Sequence, residues 1–441
     1  MPHQKKTLTI ILIPLLVCGL EACRGDHEGV YLKEARKAAG WIQASVIERD
    51  SGSVWPAVPG EETTISTNLY SGAAGTILFF LEMFSTTGEQ KFLESAEQGS
   101  DYLLAELENE EGSGLYVGLS GMGFALQETY KAGHKERFRE GFIRCLERLK
   151  KKATVTEEGV SWGAVTDIIS GNTGTGLFLL FAAEETEDSS WIDLAVAAGH
   201  HLIFRADETD SGLKWTVSPE FPQAYPNFSH GTAGTAYFLS CLYEKTGQQE
   251  FLEAALKGAK YLLSIADTAD NGCLIFHHEP DGENLFYLGW CHGPVGTSRL
   301  FYKLYQITQE TTWRDWMEKG ARSLLQSGIP EKETPGFWNN AGVCCGTAGV
   351  ADYFLSLHKI TLKREYLDFA KKLTGDLISK MTESPEGSFW LQAEHRSRPD
   401  FLQAQTGLMQ GAAGIGLWFL RLDAFNNGRT PQIVLPDTPF E

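Results

Sequence analysis

A Gly-x-x-Gly tetrapeptide recurs seven times along this chain, starting at Gly72, Gly118, Gly171, Gly231, Gly293, Gly346 and Gly411. One such motif carries almost no information. Seven, each followed by an apolar run, constrain the fold more than any other feature, because a repeat that cannot bury its own apolar face must stack on its neighbours. The runs include "TILFFLEMF", "GLFLLFAAEE", "TAYFLSCLYEKTG" and "VADYFLSLHK". After each of the first six comes a second segment whose apolar residues recur at three and four, such as "FLESAEQGSDYLLAEL" and "YLDFAKKLTGDLISKM". The unit is a helix hairpin. The glycine pair opens its first, more apolar helix, where a missing Cβ lets helices and loops approach closely. The seventh unit ends soon after its first helix, and "YLKEARKAAGWIQASVIERD" near the N-terminus offers the missing partner. Helix pairs either stack as an open solenoid or close on themselves. Apolar first helices with amphipathic second ones favour an inner ring inside an outer ring: an all-α, double-layered α/α toroid of seven hairpins with the motifs gathered at one end. Linkers such as "HHEPDGENLFYLG" and "SGIPEKETPGFWNNAG" read as turns, short strands or irregular loops, and no internal domain boundary interrupts the series.

In such a ring the two residues before each first glycine lie near their counterparts in the next repeat. These slots hold Tyr70-Ser71, Tyr116-Val117, Ile169-Ser170, Ser229-His230, Cys291-His292, Cys344-Cys345 and Met409-Gln410. Repeats four to six therefore present His, Cys-His and Cys-Cys. Thiolate and imidazole suit Zn²⁺, which takes four tetrahedral ligands and in catalytic sites leaves one position open. The other reading is a buried cysteine cluster containing a disulfide, although adjacent Cys344 and Cys345 make a strained pair. Cys145 and Cys241 fall in apolar helical patterns and read as buried free thiols.

The sevenfold pattern, "WCHG" and "CCG" resemble the LanC family, the lanthionine synthetase cyclases and LanC-like proteins, from about Tyr31 to Leu422. The resemblance implies an α/α toroid with one zinc ion at the end of the barrel, held here by Cys291, Cys344 and Cys345. It implies addition of a Cys thiol to a dehydroalanine or dehydrobutyrine, giving a thioether. His230 matches the family's "HG" motif and is the implied acid/base; the alternative is a His that caps the following helix. Asp167, in "DIISGNTG", matches the family's third-repeat Asp and would orient substrate or His230; the alternative is a turn carboxylate bonded to backbone N–H groups. Two positions depart from the pattern. Tyr287 stands where several bacterial cyclases resemble one another in having Arg, and His292 follows the first cysteine. Were His292 a fourth ligand, the tetrahedron would be closed. The resemblance keeps it off the metal, beside the open position.

With 57 acidic against 38 basic residues and a formal charge of −19, the chain is no nucleic-acid binder. Its start carries an address. Lys5 and Lys6 precede the apolar "TLTIILIPLLVCGL", and "LEAC" from Leu20 to Cys23 resembles a lipobox, with Glu21 departing from the usual small or apolar residue. Residues 1–22 are expected to be a lipoprotein-type signal peptide and 23–441 an exported LanC-like domain, attached through lipidated Cys23 to a membrane of the cell envelope or periplasm. This contrasts with the cytoplasmic work of lanthipeptide cyclases. Three functions follow: zinc-dependent thiol addition to a peptide or small electrophile, a carbohydrate-active α/α toroid, or a non-catalytic zinc-containing surface binding protein. A glycosidase needs two suitably spaced carboxylates, and no convincing pair stands out.

Overall fold

The computed structural model describes residues 29–221 and 223–441; the expected signal peptide and Cys23 lie outside them. The described residues form fourteen α-helices and short strand pairs. Seven helices make an inner ring: α2 (Ala73–Thr87), α4 (Leu119–Gly133), α6 (Asn172–Thr186), α8 (Thr232–Thr246), α10 (Pro294–Thr308), α12 (Thr347–Thr361) and α14 (Ala412–Asn426). Each has 15 residues, so the wall has one height of about 22 Å. Seven more surround them: α1 (Val30–Ala44), α3 (Gln90–Glu106), α5 (Glu136–Lys152), α7 (Ser190–Phe204), α9 (Gln249–Ser264), α11 (Thr311–Gln326) and α13 (Arg364–Ser379).

The two rings differ as their sequences do. In α2 every residue from Ala73 to Met83 is buried. In α5 only a stripe is, from Phe138 to Leu149, and the charged residues face out. Each inner helix packs on its outer partner and on both inner neighbours, α14 meets α2, and α1 packs on α14. The ring closes as the repeats require. The N-terminal helix is shorter than its sequence suggests: it ends at Ala44, and Ile47–Arg49 pairs antiparallel with Gly52–Val54. The Asp50-Ser51-Gly52 turn between these strands favours a hairpin over further helix. Similar ribbons follow α5, α7 and α13. After each of these three a tryptophan indole donates to the end of the preceding outer helix: Trp162 to Leu149 O, Trp215 to Leu202 O and Trp390 to Leu377 O. Those tryptophans are structural.

The glycine pairs sit where side chains have no room. A Cβ on Gly231 would strike the carbonyl of Tyr225, and one on Gly296 the carbonyl of Trp290. Folded back this tightly, the seven slots form a closed belt of backbone hydrogen bonds. Tyr70 N donates to Tyr116 O (3.1 Å), Tyr116 N to Ile169 O (2.9 Å), Ile168 N to Ser229 O (3.2 Å) and Ser229 N to Cys291 O (2.9 Å). Cys291 N donates to Cys344 O (3.2 Å), Cys344 N to Met409 O (2.9 Å) and Met409 N back to Tyr70 O (2.8 Å).

Candidate functional site

The belt sets residues distant in sequence side by side. Cys291 Sγ lies 3.1 Å from Cys345 Sγ, and Cys345 Sγ lies 3.5 Å from Cys344 Sγ. All three sulfurs are within 4.8 Å of one another, and all three residues are buried. The six described cysteines are free thiols. The trio's spacings exceed an S–S bond of about 2.05 Å. The two shorter ones, 3.1 and 3.5 Å, lie below the roughly 3.8 Å edge of a tetrahedron built on ~2.3 Å zinc–sulfur bonds. Charge points the same way. Burial, then hydrogen bonds to Cys344 and Cys345, pushes the Cys291 thiol well up. Hydrogen bonds from Cys291 and Cys345 hold Cys344 well down. Cys291 and Cys345 are thus both pushed above the ordinary thiol value while Cys344 is held below it, and a cation in their midst would favour ionising all three. The donor set fits a soft divalent ion such as zinc.

His292 does not belong to the group of converging ligand atoms. Its ring is buried between His277 and Tyr225, at centroid distances of 4.2 and 5.1 Å, and its Nδ1 has no hydrogen-bond partner among the described residues. Burial, then the neighbouring His277, keeps it neutral by holding its pKa well down.

His230 stacks on His292 with centroids 5.6 Å apart, and its Nδ1 lies 2.6 Å from Asp167 Oδ2. Asp167 is 2% exposed, and its other oxygen accepts the Ser170 backbone N–H at 2.8 Å. The carboxylate is thus both a turn brace and the partner of His230. Burial alone would lower the His230 pKa; the hydrogen bond and charge of Asp167 overcome that and raise it. With Nδ1 engaged, Nε2 is the nitrogen left to react.

The trio, His230 and His292 open on one cavity of about 270 Å³. Part of its wall comes from linkers that the repeat pattern passes over. His277 and Tyr225 brace His292. Glu394 and Arg396 enter from the loop before repeat seven. Arg396 lines the cavity together with Tyr287: burial pushes the Tyr287 hydroxyl up to about 12, while the nearby Arg396 guanidinium pulls the other way. The His277-His278 doublet was visible in the sequence; nothing local said where it would point.

A model of lanthionine synthetase C-like proteins matches residues 63–435. The chain belongs to this family. It is 24% identical over 316 residues to a Danio rerio protein named glutathione S-transferase LANCL1, covering 68% of this chain and 71% of that one. Among solved structures, nisin cyclase superposes with a TM-score of 0.61 at 15% identity, over 88% of this chain and 92% of the cyclase. A GH76 α-mannanase from Bacteroides thetaiotaomicron superposes with a TM-score of 0.51 at 12% identity, over 90% and 97%. These likenesses establish the LanC-like α/α toroid. The mannanase shares the fold alone, and Glu394 is the one carboxylate among the residues lining this cavity.

Proposed function

We propose that this LanC-like protein is an exported, zinc-dependent catalyst that adds a Cys thiol to a dehydroamino acid of a peptide. The observation that carries the reading is the convergence of three buried free thiols in adjacent motif slots, on the same cavity as an Asp-oriented histidine. Cys291, Cys344 and Cys345 would hold the ion. Bound zinc would supply the charge that ionises an incoming thiol and holds it beside the trio.

The chain's own residues do the rest. The sulfur–Cβ bond forms as the Cα=Cβ π pair moves onto Cα and the adjoining carbonyl. His230 Nε2 takes the proton that the incoming thiol gives up and returns it to Cα. Asp167 fixes the ring tautomer and favours the protonated form. Arg396 and the Tyr287 hydroxyl offer positive charge and a donor to the carbonyl oxygen where negative charge builds up. The neutral rings of His292 and His277 wall off water on one side. Lipid attachment at Cys23 would place this chemistry at a membrane surface.

The test supplies zinc-loaded protein with a dehydroalanine peptide and a Cys thiol and follows adducts by mass spectrometry. The reading expects zinc-dependent adduct formation, lost in His230→Ala with metal retained. In cobalt-substituted protein, added thiol should shift the thiolate-to-metal absorption band. A band that ignores thiol, with no adduct, makes the metal structural and ends the enzymatic reading. Intact mass of membrane-extracted protein should show diacylglycerol on Cys23; Met1 retained in soluble protein would refute export.

A further inference from the structure

After α14 the chain turns back into the barrel. Glu82 Oε2 in α2 accepts the backbone N–H groups of Gln432 (2.9 Å) and Ile433 (2.8 Å). Gln306 near the end of α10 donates to Pro439 O (3.3 Å), and Lys359 near the end of α12 donates to Glu441 (2.5 Å). These anchors lie toward the C-terminal ends of inner helices, opposite the motif belt. Between them the chain reaches much deeper. Thr438 N donates to Leu435 O (3.0 Å), closing a β-turn with Pro436 and Asp437 at its tip. Asp437 is fully buried. Its Oδ2 accepts the Tyr116 hydroxyl at 3.1 Å, its carbonyl accepts Arg299 Nε at 3.2 Å, and its Oδ1 is buried without a hydrogen-bond partner among the described residues. Tyr116 is a slot residue of repeat two, and Trp290 immediately precedes Cys291.

We propose that residues 429–441 are a plug inserted from the far end of the toroid, and that Asp437 at its tip is a positioning residue for the Trp290–Cys291 turn. Trp290 packs against Tyr116, whose ring centroid is 5.1 Å away and whose hydroxyl is held by Asp437. Its backbone N–H is bonded at 2.8 Å to Cys344 O, so a shift of Trp290 moves both cysteine-bearing slots. A void of about 70 Å³ bordered by Trp290, Arg299, Leu435 and Thr438 gives the indole room to drop once the carboxyl is removed. Part of the inference rests on the reading of Cys291 as a metal ligand, and its test separates the two.

Zinc affinity of wild type, Asp437→Ala and Asp437→Asn is measured by competition with a chromophoric chelator. Asp437→Ala should bind zinc roughly tenfold more weakly, the low end for groups that orient ligands. Asp437→Asn keeps an acceptor for Tyr116 and should stay within about twofold of wild type. In metal-free protein, alkylation of Cys291 by iodoacetamide, read by peptide mass spectrometry, should accelerate roughly tenfold in the alanine variant alone. The proposal is overturned if Asp437→Ala matches wild type in both measurements, or if Asp437→Asn falls as far as Asp437→Ala, which would reduce the tip to packing. Should Asp437→Ala fail to fold, Tyr116→Phe decides: faster Cys291 alkylation supports the plug, an unchanged rate refutes it. A wild type that binds no zinc removes the metal reading, and the alkylation series still judges the plug.

Discussion

Replacing Cys345 by alanine takes away the sulfur that stands between the other two, 3.1 Å from Cys291 and 3.5 Å from Cys344. A four-ligand zinc site is worth about 10–16 kcal/mol at neutral pH. An equal share per ligand is about 3–4 kcal/mol, and at ~1.4 kcal/mol per decade the variant should lose roughly 10²–10³ in zinc affinity. The remaining pair cannot compensate, because the belt fixes Cys291 and Cys344 through Cys291 N to Cys344 O, and His292 lies outside the converging group. The control is Cys145→Ala. That thiol is fully buried in α5, and burial pushes its pKa up to about 12, so it remains an uncharged packing group. Its loss should cost about 1 kcal/mol of stability and no zinc. Chelator competition gives the affinity and urea melts the stability. Zinc held within about threefold by Cys345→Ala, or lost as fully by Cys145→Ala, would refute the assignment of the trio.

His292→Ala should keep its zinc in metal analysis; loss of the ion would add this ring to the ligand set and close the site. Asp167→Asn should change the pH dependence of stability. The His230 pKa is raised in the fold, so that ring's contribution is full below its unfolded value near 6.5 and fades as pH rises through the higher folded value. The difference in urea stability between wild type and Asp167→Asn in metal-free protein should therefore be larger at acidic than at alkaline pH, and a difference that grows with pH would contradict the pair. Arg396→Gln should retain zinc yet slow thiol addition roughly 10–100-fold, the worth of one charge-assisted hydrogen bond; an unchanged rate would remove Arg396 from the reaction.

What could be read from the sequence was whatever the repeat period encodes. The glycine pairs mark the seven inner helices because no other residue fits against carbonyls such as those of Tyr225 and Trp290. Once a ring is inferred, the slots holding His230, Cys291, Cys344 and Cys345 must be neighbours. What escaped has no period. His277, Tyr225 and Arg396 come from linkers of unequal length, and their direction depends on how each linker crosses the belt. The C-terminal tail carries a plain turn signal, Leu435-Pro436-Asp437-Thr438. Its place beneath Trp290 depends on contacts with Glu82, Tyr116 and Arg299, residues spread over about half the chain.

The belt also decides which side chains surround the trio. Backbone hydrogen bonds link one slot to the next, so the slot side chains are left to set the chemistry slot by slot. Here the slots flanking the trio are as selective as the trio itself. Repeat one supplies Tyr70, whose hydroxyl is kept protonated first by burial and then by the neighbouring Cys344. Repeat seven supplies Gln410, whose amide donates to the Tyr70 oxygen at 3.0 Å and lies 4.0 Å from Cys345 Sγ. Asn340 donates to the Gln410 carbonyl at 2.9 Å and so fixes which way the amide faces. These neutral donors can stabilise charge on sulfur without competing for a cation, while His230 and Arg396 occupy other parts of the same cavity wall. His230 and Cys344 still feel each other's charge, since Cys344 adds to the rise that Asp167 gives His230. Asp167 is the larger influence, so Tyr70→Phe should leave most of that rise in place while loosening the hold on Cys344. A histidine titration by NMR in which the Tyr70 change abolished the rise would show that Cys344, not Asp167, sets it.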